Sequence, residues 1–162
     1  MQESSNKIIQ QGEIVSFDTD MVGPYGYCAD ISRTFVCGNI FNDNQKNLYS
    51  MAINQISHNS SLIKDGTTFK EFIEKSWKLP EEYYGNRYSV MVHGIGLCDE
   101  WPSIRYPTDG GDKGGIFQKN MTITVESYIG KVGGKEGVKL EQQYLVGQNG
   151  LELMSHHPLE DI

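Results

Sequence analysis

Residues 17–35 read FDTDMVGPYGYCADISRTF, and their reading decides the fold. Ile14 to Asp20 is a strand by its β-branched and aromatic content, and Tyr27 to Cys37 is its hairpin partner. Gly23, Pro24 and Gly26 lie between them as turn residues. Asp18 and Asp20 sit on one arm and Asp30 on the other. On a regular strand, residues two apart share a face, so Asp18 and Asp20 are expected to point the same way. Facing strands lie about 4.8 Å apart, close enough for acids on both arms to share one ion.

A second hairpin repeats this layout. Met121 to Ile129 carries Glu126, Val138 to Val146 carries Glu141, and GKVGGKEG joins them. Ser89 to Leu97 is a strand that delivers His93. All these groups lie in or beside apolar segments, where an unpaired charge is costly. Like charges gathered within a few ångströms oppose joint ionisation, so such a cluster calls for cations. Oxygen donors with one imidazole suit a pair of divalent ions, with iron, manganese, cobalt and zinc as candidates. The two hairpins are expected to face each other, with the His93 strand between them.

Between the hairpins, Leu48, Ala52 and Ile56, with Tyr49 and Ile53 beside them, form a helical stripe within Asn44 to Ile63. Asp65-Gly66 ends it, and Thr68 with Glu71 is a capping box opening a helix to about Trp77. Trp101 to Gly115 is expected to be a loop. The 162 residues suffice for one domain with a core, spanning 1–162. The net charge of -7 and the lack of a basic cluster argue against a nucleic-acid partner. No apolar run is long enough to span a membrane, and none marks a signal peptide. Cys28, Cys37 and Cys98 are odd in number without a CxxC pair, so a reduced, cytoplasmic setting is expected, with the thiols as buried apolar filling.

At these residues the sequence resembles the creatinase/aminopeptidase (pita-bread) superfamily of metalloproteins. The order of acids and histidine, and the strings DISRTF, HGIGL, VES and GVKLEQQYLV, carry the resemblance from about Gly12 to Gly150. It implies an α+β catalytic domain: a curved antiparallel sheet with helices on its outer face, truncated on its N-terminal side. Peptidases of the superfamily usually have Asp-x-Gly at the first ligand and a second histidine seven residues after the first. Here Asp20 replaces that glycine, and HGIGLCDEWP has Glu100 at the histidine position. Both departures resemble the dimethylsulfoniopropionate (DMSP) lyases of this superfamily. That resemblance implies metal ligands at Asp18, Asp20, Asp30, His93, Glu126 and Glu141, bound iron, a homodimer, Asp99 as catalytic base and Tyr88 as a pocket tyrosine. Family members carry chain ahead of the position where Met1 stands, so a fragment or truncated product is expected.

The implied reaction is a β-elimination of DMSP to dimethyl sulfide and acrylate. Its sulfonium end suits aromatic faces, for which Tyr88 and Trp101 are the expected contacts, with Tyr25 and Tyr27 open between pocket and hairpin packing. The alternative within the same fold is a Xaa-Pro aminopeptidase or dipeptidase, and a non-enzymatic binding module is a third. Arg33 is read as a salt bridge steadying the ligand strand. His58 reads as an exposed helix residue, and His156 and His157 as a frayed tail. Asp109, Asp112 and Glu100 are read as solvated loop acids.

Overall fold

The computed structural model describes residues 6–38, 40–111 and 114–159. Asp112 lies outside them. In chain order the elements are β1 (Ile14–Asp18), β2 (Met21–Val22), β3 (Cys28–Ala29), β4 (Ser32–Val36), α1 (Asp43–Ser61), α2 (Phe69–Lys75), α3 (Glu81–Tyr84), β5 (Val90–Gly94), β6 (Ser103–Arg105), β7 (Thr122–Gly130), β8 (Gly137–Val146) and β9 (Leu151–Leu153).

The first hairpin is in two parts. β1 pairs antiparallel with β4, Asp18 opposite Ser32, and the tip forms a separate short ladder of β2 with β3. At the break, the Thr19 hydroxyl donates to the Ile31 carbonyl (3.0 Å) and accepts from the Ile31 amide (3.4 Å). A side chain thus supplies the hydrogen bonds that the ladder drops there. Asp20 and Asp30 flank this break, so the regular-strand argument for a shared face of Asp18 and Asp20 does not hold.

The main sheet runs β6-β5-β7-β8-β9. His93 is opposite Thr124 and Glu126 is opposite Glu141. The His93 strand is therefore a neighbour of the second hairpin in one sheet, and does not lie between the hairpins. The first hairpin packs across β8 through side-chain-to-backbone bonds. Thr34 Oγ1 donates to the Lys139 carbonyl (2.8 Å), and Arg33 Nη1 donates to the Glu141 carbonyl (2.6 Å).

α1 starts at a capping box that sequence reading missed. Asn42 Oδ1 accepts from the Gln45 amide, and Gln45 Oε1 accepts from the Asn42 amide, both at 2.9 Å. Its buried face includes Leu48, Tyr49, Ala52 and Ile56, the expected stripe, and packs on β7 and β8. α2 is capped by Thr68, as expected, and stops at Lys75, short of Trp77. Phe69 and Phe72 from α2 meet Phe117 edge-to-face, with centroids 4.9 and 5.9 Å away. The stretch from Trp101 to Gly115 is a loop only in part, since β6 pairs with β5.

Candidate metal centre

His93 is the hub. Its Nδ1 lies 3.1 Å from the Gly94 carbonyl, which can only accept, so Nδ1 carries the hydrogen. Nε2 turns toward the acids: 3.2 Å to Glu141 Oε1, 3.6 Å to Asp30 Oδ2 and 3.8 Å to Glu126 Oε1. The next residue must be small. A Cβ on Gly94 would come within 2.8 Å of Pro102 Cδ and would run into the Trp101 backbone.

The donor atoms of Asp30, His93 and Glu141 lie within 4.8 Å of one another, and all three residues are buried. A second group at the same spacing joins Asp20, Asp30 and Asp99. Asp30 belongs to both, which is where a bridging carboxylate would stand. Asp18 connects to this cluster through the Ser32 hydroxyl, which donates to Asp18 Oδ1 and reaches Glu141 Oε2 at 2.9 Å. Asp30 Oδ1 and Glu126 Oε1 are buried without a hydrogen-bond partner. Buried charged oxygens without partners are costly, and an ion coordinated by them removes that cost. The residues present fit a divalent pair: convergent carboxylates, one imidazole nitrogen and two orphaned oxygens.

Sequence reading missed Lys139. Its ammonium, fully buried, bonds Glu126 Oε2, lies 3.3 Å from Glu141 Oε2 and 3.9 Å from Asp18 Oδ2, and stands 4.7 Å from the centre of the Tyr88 ring. The signal was present: Lys139 is two residues before Glu141 on β8, so both share a face.

The electrostatics follow from crowding. Burial first, then Glu141 and Asp18, push the Asp30 carboxyl up to about 9. Burial raises Glu126 to about 8, against the pull of Lys139. Burial works against the Glu141 carboxylate, yet Lys139 and His93 hold it down to about 2. Burial likewise opposes the His93 imidazolium, but Glu141 and Glu126 outweigh it and lift His93 to about 9. Desolvation also raises Asp18.

Asp99 stands beside the centre, with Oδ1 3.9 Å from His93 Nδ1. Its neighbour Glu100 is in the left-handed region (φ 55) and donates its amide to Asp99 Oδ1 at 2.9 Å. Tyr88 donates its hydroxyl to Glu100 Oε1 (3.3 Å), so Glu100 is tied into this corner and is more than a solvated loop acid. Trp101 is exposed and lines a cavity of about 400 Å³ with Phe69, Pro102 and Arg105. Tyr25 and Tyr27 are both exposed, so neither packs the hairpin.

Other expectations change. Arg33 makes no salt bridge among the described residues. It donates to the carbonyls of Ser32, Glu141, His157 and Pro158, and to Gln142 Oε1. These bonds hold His157 and Pro158, and the Ser155 hydroxyl donates to Gln142 Oε1 at 2.7 Å, so the expected frayed tail is tied to β4 and β8, although His156 and His157 stay exposed. Asp109 is paired with Arg87. His58 is exposed on α1, with Nε2 2.9 Å from the Lys75 carbonyl. The cysteines are free thiols, but none is buried: Cys28 and Cys37 are half-buried and Cys98 is exposed.

Comparison with known proteins agrees with this geometry. A model of metallopeptidase family M24 matches residues 1–148. The DMSP lyase DddP of Roseovarius nubinhibens is 38% identical over 163 residues, covering 98% of this chain and 36% of that protein. The DddP of Roseobacter denitrificans is 34% identical, with the same coverage. The chain thus spans about a third of the length of these relatives. Among solved structures, the prolidase from Pyrococcus horikoshii superposes with a TM-score of 0.78 at 26% identity, covering 98% of this chain and 44% of that one. The X-Pro aminopeptidase from Thermotoga maritima gives 0.76 at 26% identity, covering 98% and 43%. By its sequence, its pita-bread fold and its converging acids, the chain belongs to metallopeptidase family M24.

Proposed function

We propose that this chain carries the reaction centre of a DMSP lyase, releasing dimethyl sulfide and acrylate by β-elimination. The observation that carries the proposal is the grouping of Asp20 and Asp99 with Asp30, because Asp20 is one departure from the peptidase pattern and Asp99 stands next to the other, Glu100. The 38% identity to the Roseovarius nubinhibens lyase supports it.

Asp18, Asp20, Asp30, His93, Glu126 and Glu141 would hold two divalent ions, iron first and manganese, cobalt or zinc as alternatives. The ions would supply Lewis acidity that offsets charge building up beside the substrate carboxylate. The remaining work falls to the chain. Asp99 takes the α-proton on a carboxylate oxygen, and the C–H electron pair becomes the new C=C bond. The Cβ–S bond breaks, and its pair leaves on neutral dimethyl sulfide, which needs no acid. The backbone amide of Glu100 holds the Asp99 carboxylate in place. The Tyr88 and Trp101 rings offer the sulfonium about 0.5–2 kcal/mol per contact. Lys139 already stands over the Tyr88 ring, so the sulfonium takes the opposite face. In this reading the protein acts as a cytoplasmic homodimer.

The test is Asp99→Ala with both headspace sulfide and metal content measured. Lost dimethyl sulfide with metal retained is expected. Retained activity, or loss of metal along with activity, removes Asp99 as the base.

A second reading has support in the solved prolidase and X-Pro aminopeptidase structures. It makes the chain a Xaa-Pro peptidase. Hydrolysis of a Xaa-Pro dipeptide without sulfide release from DMSP would establish it over the lyase.

A further inference from the structure

We infer that Lys139 is a built-in cation of the acid cluster, a positioning residue that aims Glu126 and Glu141 and competes with the metal ions for them. This rests on the metal-centre reading above. The lysine is buried to the same degree as the acids it serves. Its ammonium takes the Oε2 oxygens of Glu126 and Glu141, while the Oε1 oxygens of both turn toward His93 Nε2. Each carboxylate is therefore divided between two sides of the site. One oxygen is fixed on a permanent cation, and the other is presented where an ion would bind. Asp18 and the Tyr88 ring are the further neighbours of the ammonium, and the lysine is buried.

The strand geometry makes this arrangement obligatory. Glu126 and Glu141 are cross-strand partners, and Lys139 precedes Glu141 by two residues on the same face. Three charged side chains thus project together from one patch of sheet. Without an ion, Lys139 and His93 are the groups that offset this negative charge. With a divalent ion, the ammonium repels it from a few ångströms away. That repulsion exceeds the cost of freeing two carboxylate rotamers, so removing the charge tightens metal binding.

The experiment compares wild type with Lys139→Met and Lys139→Arg. Each is stripped with chelator, then titrated with Mn²⁺ while unfolding temperature and dissociation constant are read. Without metal, Lys139→Met is expected to melt roughly 5–10 °C lower. Its Mn²⁺ affinity is expected to rise at least about tenfold, and Mn²⁺ to raise its melting temperature more than that of wild type. Lys139→Arg keeps the charge and is expected to keep the wild-type affinity, a readout that a packing defect would not move. Recovery of Lys139→Met only in the presence of Mn²⁺ also supports the inference. A metal-free Lys139→Met as stable as wild type overturns it, as does an unchanged Mn²⁺ response, or a variant insoluble with and without Mn²⁺. If wild type itself takes up no Mn²⁺, the metal-centre reading fails separately, and the metal-free comparison still decides whether Lys139 holds the cluster.

Discussion

Asp30 shows most clearly what single residues do here. It is buried, shares a group with His93 and Glu141 and another with Asp20 and Asp99, and keeps one oxygen without a partner. Asp20 is the exposed member of this set, so it answers a mutation with the least damage to the fold. Asp20→Gly is expected to fold normally and lose metal, as read by elemental analysis; unchanged metal content would show that Asp20 is no ligand. Titration tests the same residues collectively. The carboxyls of Asp30 (raised to about 9) and Glu126 (raised to about 8) bind a proton more tightly than they would in an unfolded chain. They weaken the metal-free fold progressively as pH rises toward those values. His93 has the same direction: its stabilisation is complete below the ordinary histidine value of 6.5 and lost as pH rises through about 9. Glu141, held near 2, stabilises above 4.5 and stops doing so only as pH falls through about 2. The melting temperature of metal-free protein should therefore fall between pH 6.5 and 9, while the increment from added Mn²⁺ grows as protons stop competing. A flat profile, or one rising with pH, would contradict these assignments.

At the scale of elements, Asp18, Asp20 and Asp30 lie at the end and the break of the first hairpin, whereas His93, Glu126 and Glu141 lie within β5, β7 and β8. Thr19 holds the interruption between β1 and β2 together with both of its hydrogen-bonding functions. Thr19→Val removes both while keeping the shape, and is expected to cost about 1–3 kcal/mol in chemical denaturation, with metal affinity falling as Asp20 and Asp30 lose their support. An unaltered affinity would show that the break positions nothing. The long elements were legible in sequence because their patterns are long: the α1 stripe, the Thr68 cap and the β7–β8 hairpin all stand where expected. β6 and β9, of three residues each, were missed because so few positions show no alternation. The placement of β5 was misjudged because pairing order is a tertiary property that the His93 string does not encode.

At the scale of the molecule, one core supports the centre from behind. Phe117, fully buried between Phe69 and Phe72, ties the α2 end to the sheet. Phe117→Ala is expected to cost about 3–5 kcal/mol in stability without altering metal stoichiometry in the protein that remains folded. Loss of metal from that folded fraction would mean core and centre are coupled more tightly than the geometry indicates. The acids and the histidine that converge here were visible in sequence because they sit in apolar strings, where charge is conspicuous. Lys139 was passed over because a lysine after a Gly-rich turn reads as solvated, although its spacing from Glu141 already put both on one face of the strand. Arg33 was misread for a related reason: its partners are backbone carbonyls, which any sequence supplies.

The most direct test is metal stoichiometry by mass spectrometry on the purified wild-type chain and on Glu141→Gln. A pair of divalent ions per wild-type chain, with a clear loss in the variant, is the predicted result. A wild-type chain that retains no divalent ion after anaerobic loading with Fe²⁺ or Mn²⁺ would contradict the account.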